Sequence, residues 1–284
     1  MRWLITGASG TLGAYLRREL NGQSVVAWSG AERGPGLTPV DLSDPSTVAT
    51  AFKAANPDVV IHAAAMARVD VCCREPERAR RINTAATEQL CKLAGNRRIL
   101  YVSTDLVFDG ESAPYRESDR PSPLSVYGRS KASAEPAVVA CPRGLVVRAS
   151  LMFGPNRTGR IGFFDSLVAA LHAGTPVTLF ADEWRTMLAL SSAAKALVEL
   201  ARSDATGIMH VGGPERMSRL EMGRRLARYL GVSDAFLIAG RRNETAASEP
   251  RPRDVSLDSC LFRSLFPKFG WPSFEAALDD MLTG

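Results

Sequence analysis

The run Thr6-Gly7-Ala8-Ser9-Gly10-Thr11-Leu12-Gly13 constrains this chain more than any other feature. It leaves a short apolar stretch at 3–6 and opens a helical pattern, so its glycines serve a strand that turns sharply into a helix lying close against it. Gly7 permits the tight turn, Gly10 the approach of backbone to a pyrophosphate, and Gly13 the packing of helix on strand. Amide groups at the helix N-terminus then face the phosphates, which makes Ser9, Thr11 and Leu12 expected cofactor contacts beside the three glycines. A glycine-rich turn without a ligand is the plain alternative for this motif taken alone.

The first half of the chain keeps the same rhythm. Apolar runs at 3–6, 24–28, 59–62, 99–103 and 144–148 alternate with helical patterns at 12–20, 45–55, 76–94 and 126–140, which predicts βαβ units. Val59-Val60-Ile61 is apolar throughout, as a strand buried on both faces must be. The fold class is therefore α/β, a Rossmann-type doubly wound parallel sheet. Past about Ser150 proline and glycine become frequent, a strand and helix pattern returns at 186–201, and a further strand follows at 208–211. The expected division is a dinucleotide-binding domain at 1–151 with returns at about 186–212. A smaller mixed α/β substrate lobe at 152–185 and 213–284 would lie over the carboxyl ends of the strands. The polar stretch 240–253 reads as an exposed loop.

With 284 residues, 45% of them hydrophobic, the chain can bury one large core or a core and a lobe. Its net charge of +5 comes from scattered basic residues, and the densest group, at 74–81, is interrupted by acids. That pattern suits anionic small molecules better than nucleic acid. Five cysteines without CxxC spacing and three isolated histidines give no disulfide framework and no metal site. No stretch has the roughly 18 apolar residues of a membrane span, and glycines break the apolar stretch at 3–6 before a signal-like run can form, so the expectation is a cytoplasmic protein with no membrane partner.

The second strand ends in Ala27-Trp28-Ser29 with Arg33 close behind, and lacks the acid that bonds a ribose 2′-hydroxyl in NAD-preferring sites. NADP(H) is favoured, with NAD(H) as the alternative; Ser29 and Arg33 read equally well as solvated loop residues. Asp41 and Leu42 after a short strand suit an adenine contact. Further on, Tyr127-Gly128-Arg129-Ser130-Lys131 sets a phenol and an ammonium four residues apart on one helix face. A neighbouring cation lowers a phenol towards neutrality and makes Tyr127 a usable general acid. Thr104 ends the fourth candidate strand, at the sheet edge where its hydroxyl can polarise a carbonyl.

These motifs, together with Asp41-Leu42-Ser43-Asp44, His62-Ala63-Ala64-Ala65-Met66-Ala67-Arg68-Val69-Asp70, Arg81-Ile82-Asn83, Ser103-Thr104-Asp105-Leu106-Val107-Phe108-Asp109-Gly110, Val147-Arg148-Ala149-Ser150, Trp184-Arg185-Thr186 and Arg251-Pro252, span nearly the whole chain. They resemble the extended short-chain dehydrogenase/reductases, and among them the dTDP-4-dehydrorhamnose reductase family. The resemblance implies a catalytic trio of Thr104, Tyr127 and Lys131, with Lys131 also bonding the nicotinamide ribose. It implies backbone contacts to the cofactor from Ala63, Ala64 and Ala65, and a role for Asn83 in holding the helix near the site. Val69, Asp105, Arg185 and Arg251 become the expected substrate contacts, the arginines through a diphosphate that suits guanidinium geometry. The implied reaction is NAD(P)H-dependent reduction of a nucleotide-linked 4-keto-6-deoxy sugar, by a protein for which a homodimer is the default.

The sequence also departs from that family. Leu106 follows Asp105 where the related dehydratases carry a second acid, which argues against water elimination. Met187 stands where proline usually follows Trp-Arg-Thr, and Cys72-Cys73 replaces more polar residues, so a different sugar or a non-sugar ketone stays open. Two rival functions also remain at this point. One is a non-catalytic NADP-binding subunit resembling the regulatory subunit of methionine adenosyltransferase; the other is a nucleotide-sugar epimerase.

Overall fold

The computed structural model describes residues 1–244 and 248–282. The chain starts with β1 (Arg2–Thr6), α1 (Thr11–Glu19), β2 (Ser24–Ser29), β3 (Thr38–Pro39), α2 (Pro45–Ala55) and β4 (Val59–His62). Helices α3 (Val69–Arg74), α4 (Pro76–Ala79) and α5 (Ala86–Ala94) lead to β5 (Arg98–Thr104), and α6 (Val126–Val139) leads to β6 (Gly144–Ala149). Then come β7 (Met152–Phe153), α7 (Phe163–Ala173), β8 (Val177–Phe180), β9 (Trp184–Thr186), β10 (Leu188–Ala189), α8 (Leu190–Arg202) and β11 (Gly207–Val211). The last described elements are β12 (Arg216–Ser218), α9 (Arg219–Leu230), β13 (Leu237–Gly240), α10 (Cys260–Leu265) and α11 (Phe274–Leu282).

Seven strands form one parallel sheet in the order β11-β6-β5-β4-β1-β2-β3. Successive side chains of a strand point to opposite faces, and the core divides accordingly. Trp3 and Ile5 of β1 join α1, α8 and the later elements on one side, while Leu4 joins α2, α5 and α6 on the other. Every residue of β4 and β5 is buried, which only a sheet covered on both faces allows. The alternating pattern of the sequence thus produces the Rossmann-type class expected of it. Phe153, Phe164, Leu179, Met217 and Phe274 belong to the same cluster as Trp3, so the pieces after β6 extend that core over the sheet.

Chain order reverses between β1 and β4, which lie side by side with Ile5 opposite Ile61 and Thr6 opposite His62. In open α/β sheets this switch point leaves a crevice beyond the strand ends, where ligands bind.

Two details differ from the sequence pattern. The helical stretch 76–94 is broken by a π turn, Arg80–Ala85, which turns Asn83 inward to bond Met66 and Ser130. The stretch 240–253 is only in part an exposed loop: residues 245–247 lie outside the described residues, but Glu249 accepts a bond from the Val126 amide at 2.8 Å and Pro252 is buried. Arg242, Glu249 and Arg251 pair with distant Asp182, Arg129 and Glu183, while Arg241, Glu244 and Arg253 are exposed.

One buried ion pair ties the sheet to the helix behind it. Arg148 of β6 donates to Glu135 of α6 at 2.7 Å, and Ser103 of β5 donates to the same carboxylate at 2.6 Å. Removing one partner of such a pair strands the other charge, so Glu135→Ala is expected to cost about 3–5 kcal/mol in urea unfolding. A loss below about 1 kcal/mol would mean that Arg148 is easily rehydrated.

Candidate active site

The first turn is built by backbone contact. Gly7 has φ 71°, and the Gly10 amide donates to the Gly7 carbonyl at 2.9 Å. A Cβ on Gly7 would lie 2.8 Å from the Ala64 backbone, and one on Gly13 would lie 2.2 Å from the Gly7 carbonyl oxygen. Neither space exists for a side chain. Gly10 differs, since its Cβ would meet the Gly7 oxygen alone, at 3.2 Å, and it caps α1 without any side-chain bond. The open side of Gly10 and the unshared first-turn amides of α1 make a cradle for an anionic group.

Beside the cradle, the Ala64 amide donates to the Thr6 hydroxyl at 3.1 Å, and Thr6 meets His62 Nδ1 at 2.6 Å. His62 Nε2 lies 2.9 Å from the Thr87 hydroxyl, which donates to the Asn83 carbonyl at 2.8 Å. Because Thr87 has used its proton, His62 must donate from Nε2 and accept at Nδ1. Asn83 continues the chain: it accepts from the Met66 amide at 2.8 Å and donates to the Ser130 hydroxyl at 2.9 Å. One line of bonds therefore connects the cradle, the loop of Ala63, Ala64 and Ala65, and the helix carrying Tyr127 and Lys131.

The adenosine-side candidates are placed less simply. The Ser29 hydroxyl is buried and donates to the Glu32 carbonyl at 2.5 Å, and Arg33 is exposed. Asp41 accepts from the Ser43 hydroxyl and amide at 2.7 and 2.8 Å, which holds its carboxyl below the ordinary value. Leu42 packs on the face of α2, α5 and α6.

Thr104 and Tyr127 come together at the end of β5. Burial and the Asp105 carboxylate push the Tyr127 phenol well above its ordinary value, with a Thr104 bond pulling part of the way back. This corrects the sequence expectation that Lys131 lowers it. The Lys131 ammonium lies 4.1 Å from the centre of the Tyr101 ring, and burial brings its own pKa down to about 7, with Glu135 acting against the shift. Asp105 and Arg185 are both buried beside this pair. Asp105 takes bonds from Thr104, Ser150 and the Leu151 amide, each at 3.2 Å, and pairs with Arg185 at 3.6 Å. Arg185 also donates to the Trp184 carbonyl at 2.7 Å.

A cavity of about 680 Å³ opens from the α1 N-terminus towards the later elements. Thr11, Leu12 and Arg251 are in its wall; Thr104, Tyr127 and Lys131 are not, and Val69 stands just beyond the lining residues Ala67 and Arg68. Arg219 and Arg251 reach into it from a shared partner, buried Glu183, at 2.8 and 2.9 Å. Burial opposes the Glu183 charge, yet Arg219, Arg185 and Arg251 hold its carboxyl below the ordinary value. Phe163 and Phe180 face the cavity under Arg219 and Arg251. Sequence reasoning missed Glu183 and Arg219, and no local pattern marks them, because their partners arrive from other elements.

The model of the family described as RmlD substrate binding domain matches residues 1–284. The chain is 30% identical over 290 residues to methionine adenosyltransferase 2 subunit beta of Danio rerio, covering 99% of this chain and 90% of that one. It is 32% identical over 268 residues to the "Probable low-salt glycan biosynthesis reductase Agl14" of Haloferax volcanii, covering 90% and 88%. A crystal structure titled hypothetical dTDP-4-dehydrorhamnose reductase, from Sulfolobus tokodaii, superposes with TM-score 0.87 at 32% identity, covering 97% of this chain and 99% of that one.

The buried histidines make the site sensitive to acid. Burial, with Lys131 nearby, takes His62 down to about 3, and burial with Arg148 takes His210 down to about 4. Both lie below the unfolded value near 6.5, so the unfolded chain binds more protons and stability falls as pH drops from about 6.5 towards 4. Each pH unit in that window is expected to cost about 1.4 kcal/mol per imidazole in urea unfolding, and His62→Asn should remove one group's share. A flat profile between about pH 6.5 and about 4.5 would contradict the burial of neutral imidazoles.

Proposed function

The chain belongs to the RmlD substrate binding domain family, and from that premise we propose that it is an NAD(P)H-dependent reductase of the short-chain dehydrogenase/reductase type. Its substrate is a nucleotide-linked 4-keto-6-deoxy sugar, reduced at the keto carbon. The observation that carries this reading is the Tyr127 phenol hydrogen-bonded with Thr104, at the edge of a sheet whose switch point holds an open glycine cradle. A phenol held above its ordinary pKa keeps its proton at neutral pH and is a weaker acid than a free one, but a sugar alkoxide is the stronger base, so the proton still passes downhill to it. The reverse reaction needs a base at this position, and burial opposes one.

The cradle fits a dinucleotide pyrophosphate, since Gly10 leaves open the space that a side chain would fill. Gly7, Ser9, Gly10, Thr11, Leu12 and Gly13 would hold it, with the backbone of Ala63, Ala64 and Ala65 alongside. Bound there, a reduced nicotinamide dinucleotide supplies a hydride to the ketone. Tyr127 gives the proton, and Thr104 turns its hydroxyl from Asp105 to the same oxygen. Asp105 and Arg185 hold that pair in place. Lys131, whose proton is lost near pH 7, would bond the nicotinamide ribose. Arg251 and Arg219, sharing one carboxylate, present excess positive charge to a diphosphate, with Phe163 and Phe180 offering aromatic faces beside it. NADP(H) is favoured over NAD(H) because β2 ends in Trp28-Ser29 without an acid. In this reading residues 1–151 and 186–212 bind the dinucleotide, and 152–185 with 213–284 bind the sugar.

A second reading is a dinucleotide-binding subunit without turnover, favoured by the likeness to methionine adenosyltransferase 2 subunit beta across nearly the whole chain. One experiment separates the two: NADPH oxidation with a panel of nucleotide-linked 4-keto-6-deoxy sugars, for the wild type and Tyr127→Phe. The reductase reading expects turnover that falls by about 10²–10⁴-fold in the variant while NADPH binding is retained. Binding without turnover on every sugar supports the second reading, and undiminished turnover in the variant refutes Tyr127 as the acid.

A further inference from the structure

We propose that Arg160 is the residue with which this chain selects a 2′-phosphorylated dinucleotide, reaching from the segment between β7 and α7 to the carboxyl end of β2. The inference rests on the cofactor reading above. In a sheet of this order the adenosine ribose lies against the end of the second strand. There the sequence continues Ser29-Gly30-Ala31-Glu32-Arg33, and the fold fixes neither of the two side chains expected to meet the ribose against the strand end. The Ser29 hydroxyl is engaged by the Glu32 carbonyl, and Arg33 points no ion pair at the strand end among the described residues. Three residues past the strand end stands Glu32, and Arg160 is ion-paired with its carboxylate. The two side chains are 57% and 37% exposed, so a ligand arriving at the strand end can reach both.

Both partners are brought here by loops anchored on α1, the helix whose N-terminus forms the cradle. On one side Arg17 donates to the Pro35 carbonyl at 3.4 Å and ties down the loop after β2. On the other, the buried Tyr15 hydroxyl donates to the Pro155 carbonyl at 3.0 Å, and the Arg157 guanidinium lies 5.5 Å from the Tyr15 ring centre. The rest of that segment is braced from within. Asp165 accepts the Asn156 and Gly162 amides at 3.0 and 2.8 Å, and the Thr158 amide donates to the Asn156 side chain at 3.1 Å. Gly159, with φ 78°, turns the tip so that Arg160 follows at its outer edge. The Arg160 guanidinium is therefore carried to the ribose end by an ordered strap and not by chance extension of a side chain.

The chemistry of the pair decides which dinucleotide gains. A guanidinium binds a phosphate through two parallel hydrogen bonds and full charge, whereas a neutral 2′-hydroxyl gives it nothing comparable. Glu32 holds Arg160 in place, and Arg160 in turn offsets the carboxylate that would otherwise repel a phosphate, which binds through the remaining N–H groups of the guanidinium. Arg160 thus brings to the end of β2 a guanidinium held in place by an ion pair, whereas among the described residues no ion pair holds Arg33.

The test is isothermal titration calorimetry of NADPH and of NADH with the wild-type chain, Arg160→Gln and Arg33→Gln. The proposal expects Arg160→Gln to weaken NADPH by about tenfold while NADH changes by less than roughly twofold, and Arg33→Gln to leave the ratio of the two unchanged. Equal weakening of both dinucleotides, no weakening of either, or the NADPH-specific loss appearing in Arg33→Gln instead would each overturn the assignment to Arg160 while leaving the cofactor reading intact. Failure of the wild-type chain to bind either dinucleotide would overturn the cofactor reading, and this assignment with it.

Discussion

Everything in the site hangs on a contact between two pieces of backbone. The turn after β1 and the loop after β4 meet at the switch point of the sheet, where a single added carbon on Gly7 would strike Ala64, and one on Gly13 would strike the turn itself. A contact made by backbone does not depend on rotamers, so the crevice between β1 and β4 has one shape. The bonds running from the Ala64 amide through Thr6, His62 and Thr87 to Asn83 then carry that shape to α6. Cradle and phenol are positioned by one chain of hydrogen bonds, each member of which has its donors and acceptors assigned by its neighbours.

The charges around this frame are sorted by burial. Tyr127 keeps its proton, Lys131 sits close to losing its own at neutral pH, and Asp105 is raised by burial while Arg185 opposes the shift. Such divergence between neighbouring titratable groups is how a site separates the group that gives a proton from the groups that only orient it. On the far side of the cavity Glu183 is shared by Arg219 and Arg251, and the surplus cation faces the open space. In the proposed reading the Tyr127 phenol is the proton donor and the arginines around Glu183 are the anion site.

Much of this was legible in the sequence, and the parts that were not share a physical reason. Strand positions, the glycine turn and the Tyr127–Lys131 spacing are local patterns, set by period and by close packing, and the strands of the sheet fall within a residue or so of the pattern. Helix α9 was readable in principle, since Ser218 and Glu221 have capping-box spacing and the Ser218 hydroxyl accepts the Glu221 amide at 3.1 Å. Its four arginines obscured the apolar stripe of Leu220, Leu226 and Ala227. The π turn at Asn83, the buried position of Arg185, the carboxylate shared by Arg219 and Arg251, and the raised phenol all depend on residues far apart in the chain. Spacing told which residues carry chemistry; only the fold told which charges surround them.

The central claim is that this crevice brings a dinucleotide hydride and a sugar ketone together, and isotope transfer tests it most directly. NADPH carrying deuterium at the transferable C4 position would be incubated with the protein and a nucleotide-linked 4-keto-6-deoxy sugar, and the sugar product examined by mass spectrometry. The account predicts a reduced sugar bearing one deuterium at the former keto carbon. Bound cofactor that retains its deuterium, with the keto sugar recovered unchanged across the panel, would contradict it.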